Sequence, residues 1–173
     1  MPEPKVLLSL ALSLDGFLAD AEGGVGWLDG TMVPDMDFEG FMAQVDTVIL
    51  GRATYDQALG MSESPLGRMR HVVLTHRPLE PRPGVETFSG DPAALIARLK
   101  AEAKGLLWLM GGGRSAQPFL DAGLVDELEL NLVPLTLGRG LPLFQPDAKP
   151  LKLAFIEQQV YSNGVVRLKY RVE

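Results

Sequence analysis

Apolar positions fall along this chain in two rhythms. Short, almost unbroken apolar runs occur at KVLLSLAL (5–12), DTVILG (46–51), HVVLT (71–75) and LLWLM (106–110). A half-exposed strand alternates apolar with polar residues; these runs do not, and so predict central strands buried on both faces. Between them the spacing lengthens. Phe38, Phe41, Met42 and Val45 fall at i, i+3, i+4 and i+7, and Leu95, Ile96 and Leu99 follow the same helical period. The second helix is punctuated by Asp91 as N-cap, Pro92 in the first turn and Gly105 beyond its end.

After residue 125 the rhythm changes. In DELELNLV (126–133), Glu127, Glu129 and Asn131 alternate with Leu128, Leu130 and Leu132. In VVRLKYRV (165–172), Arg167, Lys169 and Arg171 alternate with Val166, Leu168 and Tyr170. A two-residue period predicts half-buried strands. Asn163-Gly164, between LAFIEQQVY (153–161) and the last strand, is the dipeptide of a type I′ hairpin turn. PLTLGRGLPLF (134–144) reads as an irregular crossover over this sheet, with Arg139 at its tip. Strands alternating with helices and closing on a hairpin predict α/β architecture in a single domain over residues 1–173: a mixed, mainly parallel central sheet flanked by helices, with an antiparallel C-terminal hairpin.

Composition then removes function classes. The chain has 173 residues, 46% of them hydrophobic and 22% charged, which suits one globular domain with a real core. A formal net charge of −6 without any basic run argues against nucleic acid as a partner. With no cysteine and only His71 and His76 as imidazoles, neither a disulfide framework nor a metal centre is expected. The N-terminal apolar run is broken by serines and lacks a basic leader, and no run approaches the roughly 20 apolar residues of a membrane span. The expectation is a cytoplasmic protein that does not associate with membranes.

Candidate chemistry sits at the ends of the predicted strands. Gly111, Gly112 and Gly113, followed by Arg114 and Ser115, separate an apolar run from an amphipathic segment. Glycines let a backbone approach a ligand closely, and a helix N-terminus offers unpaired N–H groups and partial positive charge to a phosphate. Without a ligand, the same glycines make a tight strand-to-helix turn. Read as G-x-G-x-x-A with Glu129 eighteen residues after Gly111, the stretch also fits the Rossmann fingerprint loosely. Only about 60 residues follow, too few for the second half of such a domain. Gly51, Arg52 and Thr54 in GRAT, and Thr75, His76 and Arg77 in THR, supply phosphate-compatible groups after two further strands. Three such ends along one edge of a parallel sheet predict a nucleotide.

The reacting half of a ligand needs a group that donates or orients a proton. Asp35, flanked by Trp27, Phe38 and Met36, is a candidate: desolvation there raises a carboxyl pKa and lets the group serve as acid or hydrogen-bond partner. PDMDFE is equally a capping sequence in which Asp35 or Asp37 is an N-cap. Asp15, in SLDGF, is the second candidate, although Asp-Gly after a strand is also an ordinary turn. Trp27 either stacks on a ring or fills the core.

Taken in order, SLALSLDGFLAD, GWLDG, DFEGFMAQVDTVILGRATYDQAL, HVVLTHRP and LLWLMGGGRSAQPFLDAGLVDELELNLVPLTLGRGLPLF follow the pattern of the dihydrofolate reductase superfamily. The chain most resembles standalone bacterial proteins similar to the reductase domain of the bifunctional riboflavin-biosynthesis deaminase-reductase. That resemblance covers essentially the whole sequence. It implies NADPH lying across the strand ends, with Gly51, Arg52 and Thr54 on the phosphates and Thr75, His76 and Arg77 on the 2′-phosphate. Gly111, Gly112 and Gly113, often through a cis Gly-Gly bond, would pack against the nicotinamide half and pyrophosphate, with Arg114 and Ser115 following. Asp35, sixteen residues before Gly51, stands at the spacing of the substrate-binding carboxylate, and Asp15 lies in an element near the substrate. Trp27 and Phe38 would flank a planar nitrogen heterocycle. The implied activity is hydride transfer to such a ring, similar to 5-amino-6-(5-phosphoribosylamino)uracil reductase of riboflavin biosynthesis. A true dihydrofolate reductase and a non-catalytic NADP(H)-binding protein are the alternatives. Relatives pair as homodimers, which the long alternating C-terminal strands also suit. Two departures concern the substrate tail. Phe17 follows the Asp-Gly pair where the riboflavin reductases usually carry a lysine, and the arginine that grips a glutamate tail has only Arg68 and Arg70 as unanchored counterparts.

Overall fold

A computed structural model of the chain describes residues 3–61 and 69–173. Its strands are β1 (Val6–Ser13), β2 (Phe17–Ala19), β3 (Val45–Gly51), β4 (Arg70–Leu74), β5 (Val85–Phe88), β6 (Leu106–Gly111), β7 (Glu127–Val133), β8 (Leu141–Pro142), β9 (Leu153–Val160) and β10 (Val166–Val172). The helices are α1 (Phe38–Met42), α2 (Arg52–Leu59), α3 (Pro92–Glu102) and α4 (Gly113–Asp121), with 3-10 turns at Gly26–Leu28 and Pro34–Met36. Eight strands form one sheet in the order β5-β4-β3-β6-β1-β7-β10-β9, while β2 and β8 pair separately. Neighbours from β5 through β7 are parallel, and β10 runs antiparallel to both β7 and β9. This is the predicted α/β architecture, mainly parallel with an antiparallel C-terminal edge.

The apolar runs lie where burial on both faces is required. One face of the sheet presents Val6, Leu8, Leu12, Ile49, Leu107, Leu109 and Leu128 to Leu95, Ile96 and Leu99 of α3 and to Ala116, Phe119 and Leu120 of α4. The other presents Val48, Leu50, Val73 and Trp108 to Phe38 and Phe41 of α1 and to Tyr55 and Ala58 of α2. Phe41 meets Trp108 edge-on, with ring centroids 5.0 Å apart. Each fully buried Leu, Val or Ile contributes about 1.5–3 kcal/mol relative to exposure, so the continuous runs pin the strand order. Asp91 caps α3 as expected, accepting from the backbone N–H groups of Ala93 and Ala94.

The structure departs from the sequence reading in three places. The helix expected to continue to Val45 stops at Met42, and Val45 opens β3 instead, paired with Leu106. Val45 still packs in the cluster that holds Phe38, Phe41 and Met42, so the helical period reported a shared face rather than a shared element. The hairpin before β10 is not a two-residue type I′ turn, because Asn163 lacks the positive φ that such a turn demands; Asp37 alone among the described non-glycine residues has one. Gly164 (φ 84) follows a turn closed by its N–H donating to the Tyr161 carbonyl, which makes a three-residue loop. Finally, three short strands escaped notice: β2 and β8, which pair with each other where 134–144 reads as an irregular crossover, and β5, whose VETF carries only two large apolar residues and lies at the edge of the sheet beyond β4.

Candidate functional site

In the sheet, β4, β3 and β6 are parallel neighbours. The pairs Gly51 with Leu74 and Leu50 with Gly111 set their C-terminal ends level. Two helices spring directly from these ends. Gly51 is the N-cap of α2 and Gly112 that of α4, and neither helix is capped by a side chain, unlike α3. Two N-termini with unpaired N–H groups and partial positive charge therefore open at one edge. They touch each other: a Cβ on Gly51 would strike Ser115 Oγ, and Thr54 Oγ1 accepts a hydrogen bond of 3.2 Å from the Gly112 N–H.

The three glycines divide their labour. Gly111 has φ 95, a conformation L side chains rarely adopt, and its peptide bond to Gly112 is cis. A Cβ on Gly112 would meet nothing nearer than Thr54 Oγ1 at 4.0 Å, so this residue presents open backbone to the edge. Gly113 does not: a Cβ there would overlap the carbonyl oxygens of Pro142 and Leu143. Its missing side chain is explained by this packing, whereas Gly112 leaves its Cα face open at the edge.

Next to this edge lies a cleft of about 260 Å³ lined by Thr75, His76, Ser89, Gly90, Ser115 and Pro118 among others, with Phe88 and Phe119 as its apolar walls. That is near the small end of ligand cavities, enough for part of a dinucleotide. The Thr75 hydroxyl accepts from the Arg77 N–H at 3.0 Å and so shapes the loop, leaving His76 and Arg77 exposed. Arg52 is more constrained than the sequence suggested. Its Nε donates to both Asp56 oxygens at 2.8 and 2.9 Å and one terminal nitrogen to the Pro78 carbonyl, so a phosphate there competes with Asp56. Arg114 is exposed on α4. The β5–α3 turn, Ser89 and Gly90, was missed; its signal was the Ser-Gly pair ahead of the α3 cap.

The candidate acids are placed differently from expectation. Asp35 is exposed in a 3-10 turn, and its carboxylate accepts from both the N–H (2.9 Å) and the hydroxyl (3.0 Å) of Ser162. Those donors hold its carboxyl below the ordinary range, so the expected rise by desolvation is not found. It is not the cap of α1 either; Asp37 is, accepting from the Gly40 N–H at 3.1 Å. Asp15 accepts from the Ser13 hydroxyl (2.6 Å) and from the N–H groups of Leu137 and Gly138, pinning the 134–140 loop. The Ser13 hydrogen bond leads in holding that carboxyl low as well. Arg70 lies at the start of β4, remote from the strand ends, and pairs with Glu86 and Glu102; Arg68 lies outside the described residues.

Trp27 and Phe38 sit in two apolar clusters. Trp27 packs on Val133, Tyr161 and Val165, whereas Phe38 packs beside Phe41, their centroids 6.1 Å apart. A polar network runs over the α1 face of β1, β7 and β10, and the sequence reading did not assemble it. Glu129, 10% exposed, accepts from the Ser9 hydroxyl at 2.9 Å and pairs with Arg167, which also reaches Glu157 and Gln159. Glu129 therefore serves the sheet and not a ribose, which removes the Rossmann reading. Burial raises the Tyr161 phenol above its ordinary value, with Arg167 and Glu129 acting on it in opposite directions. Two buried donors, Trp27 Nε1 and Arg167 Nε, have no hydrogen-bond partner among the described residues. Only the alternation of β7 and β10 hinted at this network, since its pairs are brought together by register.

Residues 4–167 match the RibD C-terminal domain family. Two uncharacterized Bacillus subtilis proteins are similar across nearly their whole lengths: YwjB is 34% identical over 94% of this chain and 95% of its own, and YyaP 30% over 98% and 96%. The riboflavin biosynthesis protein RibD of Corynebacterium ammoniagenes is 30% identical over 80% of this chain, which spans 45% of that longer protein. Among solved structures, a Shewanella sp. PV-4 protein assigned to riboflavin biosynthesis superposes with a TM-score of 0.85 at 29% identity, covering 98% of this chain and 99% of its own. Enterococcus faecalis dihydrofolate reductase, solved with NADP(H), shares the fold at a TM-score of 0.70 and 18% identity, over 98% and 96%. No helix among the described residues is long and apolar enough to cross a membrane. Sequence and fold agree that the chain belongs to the RibD C-terminal domain family.

Proposed function

We propose that this protein is a cytoplasmic NADPH-dependent reductase that transfers hydride to a planar nitrogen heterocycle, a reaction similar to that of 5-amino-6-(5-phosphoribosylamino)uracil reductase. The carrying observation is the convergence of two uncapped helix N-termini, on α2 and α4, beside the Thr75–Arg77 loop at one edge of the sheet. The open backbone of Gly112 is the cradle a phosphate needs, and it fits the cofactor that the family and the E. faecalis relative suggest. Gly51, Thr54, Gly111, Gly112 and Ser115 would hold the phosphates, and His76 and Arg77 the 2′-phosphate. When bound, the cofactor supplies the hydride.

The protein's own groups orient the acceptor. Trp27 Nε1 and Arg167 Nε are buried without a partner among the described residues, and each carries a desolvation cost of about 1–3 kcal/mol that an acceptor atom reaching it would relieve. Phe38 closes the apolar side. Asp35 and Asp15, both held ionised, position the 160–164 turn and the 134–140 loop rather than deliver a proton. Phe17 offers no cation to a phosphoribosyl tail, which favours an acceptor without one.

Titration with NADPH and NADH, read as energy transfer from tryptophan, tests the cofactor. NADPH preference that falls at least tenfold in Arg77→Ala, with NADH binding unchanged, supports the assignment. Oxidation of NADPH with aminopyrimidine acceptors then identifies the reaction, and turnover with dihydrofolate alone would replace it by a dihydrofolate reductase. If neither nucleotide binds to the folded protein, the reductase reading is wrong.

A further inference from the structure

The acceptor end of the proposed site is built from one acidic stretch of chain. Between Lys5 and Arg52 the sequence holds six aspartates and two glutamates, and no lysine or arginine. Asp46, near the start of β3, lies at the far end of that strand from Gly51; the other seven carboxylates fall between the end of β1 and α1. That span also supplies Trp27 and Phe38. Asp29 follows Trp27 by two residues, and Asp37 and Glu39 flank Phe38. Asp35 is held at Ser162, beside the Tyr161 on which Trp27 packs. Asp15, Asp29, Asp35, Asp37 and Glu39 are all exposed. Of the cations, Arg139 adjoins this end at the tip of the loop that Asp15 pins, and Arg167 is spent on Glu129 and Glu157. One further guanidinium against seven carboxylates leaves the acceptor end strongly negative, whereas Arg52, His76, Arg77 and Arg114 stand along the cofactor edge.

The titratable groups at this end are poor proton donors. Hydrogen bonds hold the Asp15 and Asp35 carboxyls below their ordinary range, so these have no proton to give near neutral pH, and burial raises the Tyr161 phenol, which keeps its own. His71 and His76 belong to β4 and the loop after it, and β3 and β6 separate that strand from β1. A neutral C=N acceptor needs a proton as hydride arrives, whereas one that is already cationic does not. Given the reductase reading above, we propose that the acceptor reaches this site as an organic cation, an iminium or N-alkylated ring without a phosphate or carboxylate tail. Hydride from NADPH bonds to the electrophilic carbon, the π pair of the C=N bond moves onto nitrogen and cancels its charge, NADP+ remains, and no proton is taken up. The carboxylates draw such a cation in and repel an anionic tail. The aromatic faces of Trp27 and Phe38 favour it further. Leu14 and Met32, 64% and 57% exposed on the same span, suit an organic ring rather than a hydrated ion.

Two probes that differ only in their tail test the proposal: N-methyl-3,4-dihydroisoquinolinium and its N-(3-sulfopropyl) analogue, which joins the same iminium carbon to an anionic end. NADPH oxidation is followed by absorbance, and binding of each probe to the protein loaded with NADP+ by calorimetry. At low ionic strength, kcat/KM for the N-methyl cation should exceed that for the sulfopropyl probe at least about tenfold, with a difference in Kd in the same direction. The preference should shrink to under about threefold in roughly 0.5 M salt, where charges are screened within a few ångströms. Asp29→Lys combined with Glu39→Lys changes two exposed side chains that make no hydrogen bond or ion pair among the described residues, so the fold should survive, as circular dichroism would verify. The preference at low salt should then fall at least about threefold. Equal turnover of the two probes, a preference indifferent to salt and to the double variant, or failure to reduce either probe by protein that binds NADPH overturns the cationic acceptor and leaves the cofactor site standing. Failure to bind NADPH at all removes the reductase reading itself, and the cationic acceptor with it.

Discussion

Replacing the three glycines one at a time by alanine should separate binding from stability. At Gly112 the backbone is extended (φ −64, ψ −173), which alanine adopts freely, and the new methyl meets only Thr54 Oγ1 at 4.0 Å. The fold should lose no more than about 1 kcal/mol, the typical cost of alanine at an N-cap, or roughly 2–4 °C in a chain of this size. That methyl projects where the phosphates are proposed to lie, so NADPH binding should weaken by about 1–3 kcal/mol, roughly 10- to 150-fold. Gly113→Ala reverses the pattern. Its methyl overlaps two backbone oxygens on Pro142 and Leu143 that have no rotamer to retreat into, an overpacking worth about 1–3 kcal/mol or more. Gly111→Ala forces a side chain to φ 95, a strain of about 1–3 kcal/mol, and brings its methyl to 3.2 Å from Leu10. The assay is paired: urea unfolding for each variant, and NADPH titration on the folded protein. Should Gly112→Ala bind NADPH like the wild type while melting normally, the open face of Gly112 does not meet the cofactor and the proposed site collapses.

Two further perturbations probe the frame of the site. Thr54→Val removes the acceptor for the Gly112 N–H, so calorimetry should find a loss of about 1 kcal/mol together with weaker NADPH binding; unchanged values for both would mean that the α2–α4 contact does not organise the edge. The Asp35 carboxyl is held low in the folded state by Ser162, so its contribution is fully present above the ordinary carboxylate pKa of about 3.9 and is lost as pH falls through the lower folded value. Asp35→Asn should therefore be less stable than the wild type at neutral pH and show a shallower decline in urea midpoint below about pH 4; parallel acid limbs would refute the link.

Much of the architecture is legible in the sequence, because burial on both faces of a parallel strand can be written only as an unbroken apolar run. VILG, VVL and LLWLM state their own positions near the middle of the sheet. Asp91-Pro92 states where α3 begins, because a cap acts within one turn. Limits arise where one signal serves two structures. The spacing from Phe38 to Val45 records a common apolar cluster, although the chain changes from helix to strand inside it. Asn163-Gly164 marks a turn, but the flanking contacts select its class.

By itself, then, the sequence determined the central strands and the order of strand ends that carry GRAT, THR and GGGRS, both properties of short chain segments. Tertiary structure alone decided how those segments work together. Packing of α2 against α4 separated Gly112, open to a ligand, from Gly113, sealed by β8. The folded 3-10 turn brought Asp35 to Ser162, 127 residues away, and so lowered its carboxyl pKa. Register between β7 and β10 assembled Glu129 with Arg167, and the ending of the sheet at β9 left Phe155 and Val160 in solvent. These are relations between residues far apart in the chain. No local propensity encodes them, because their free energies arise only when distant surfaces exclude water together.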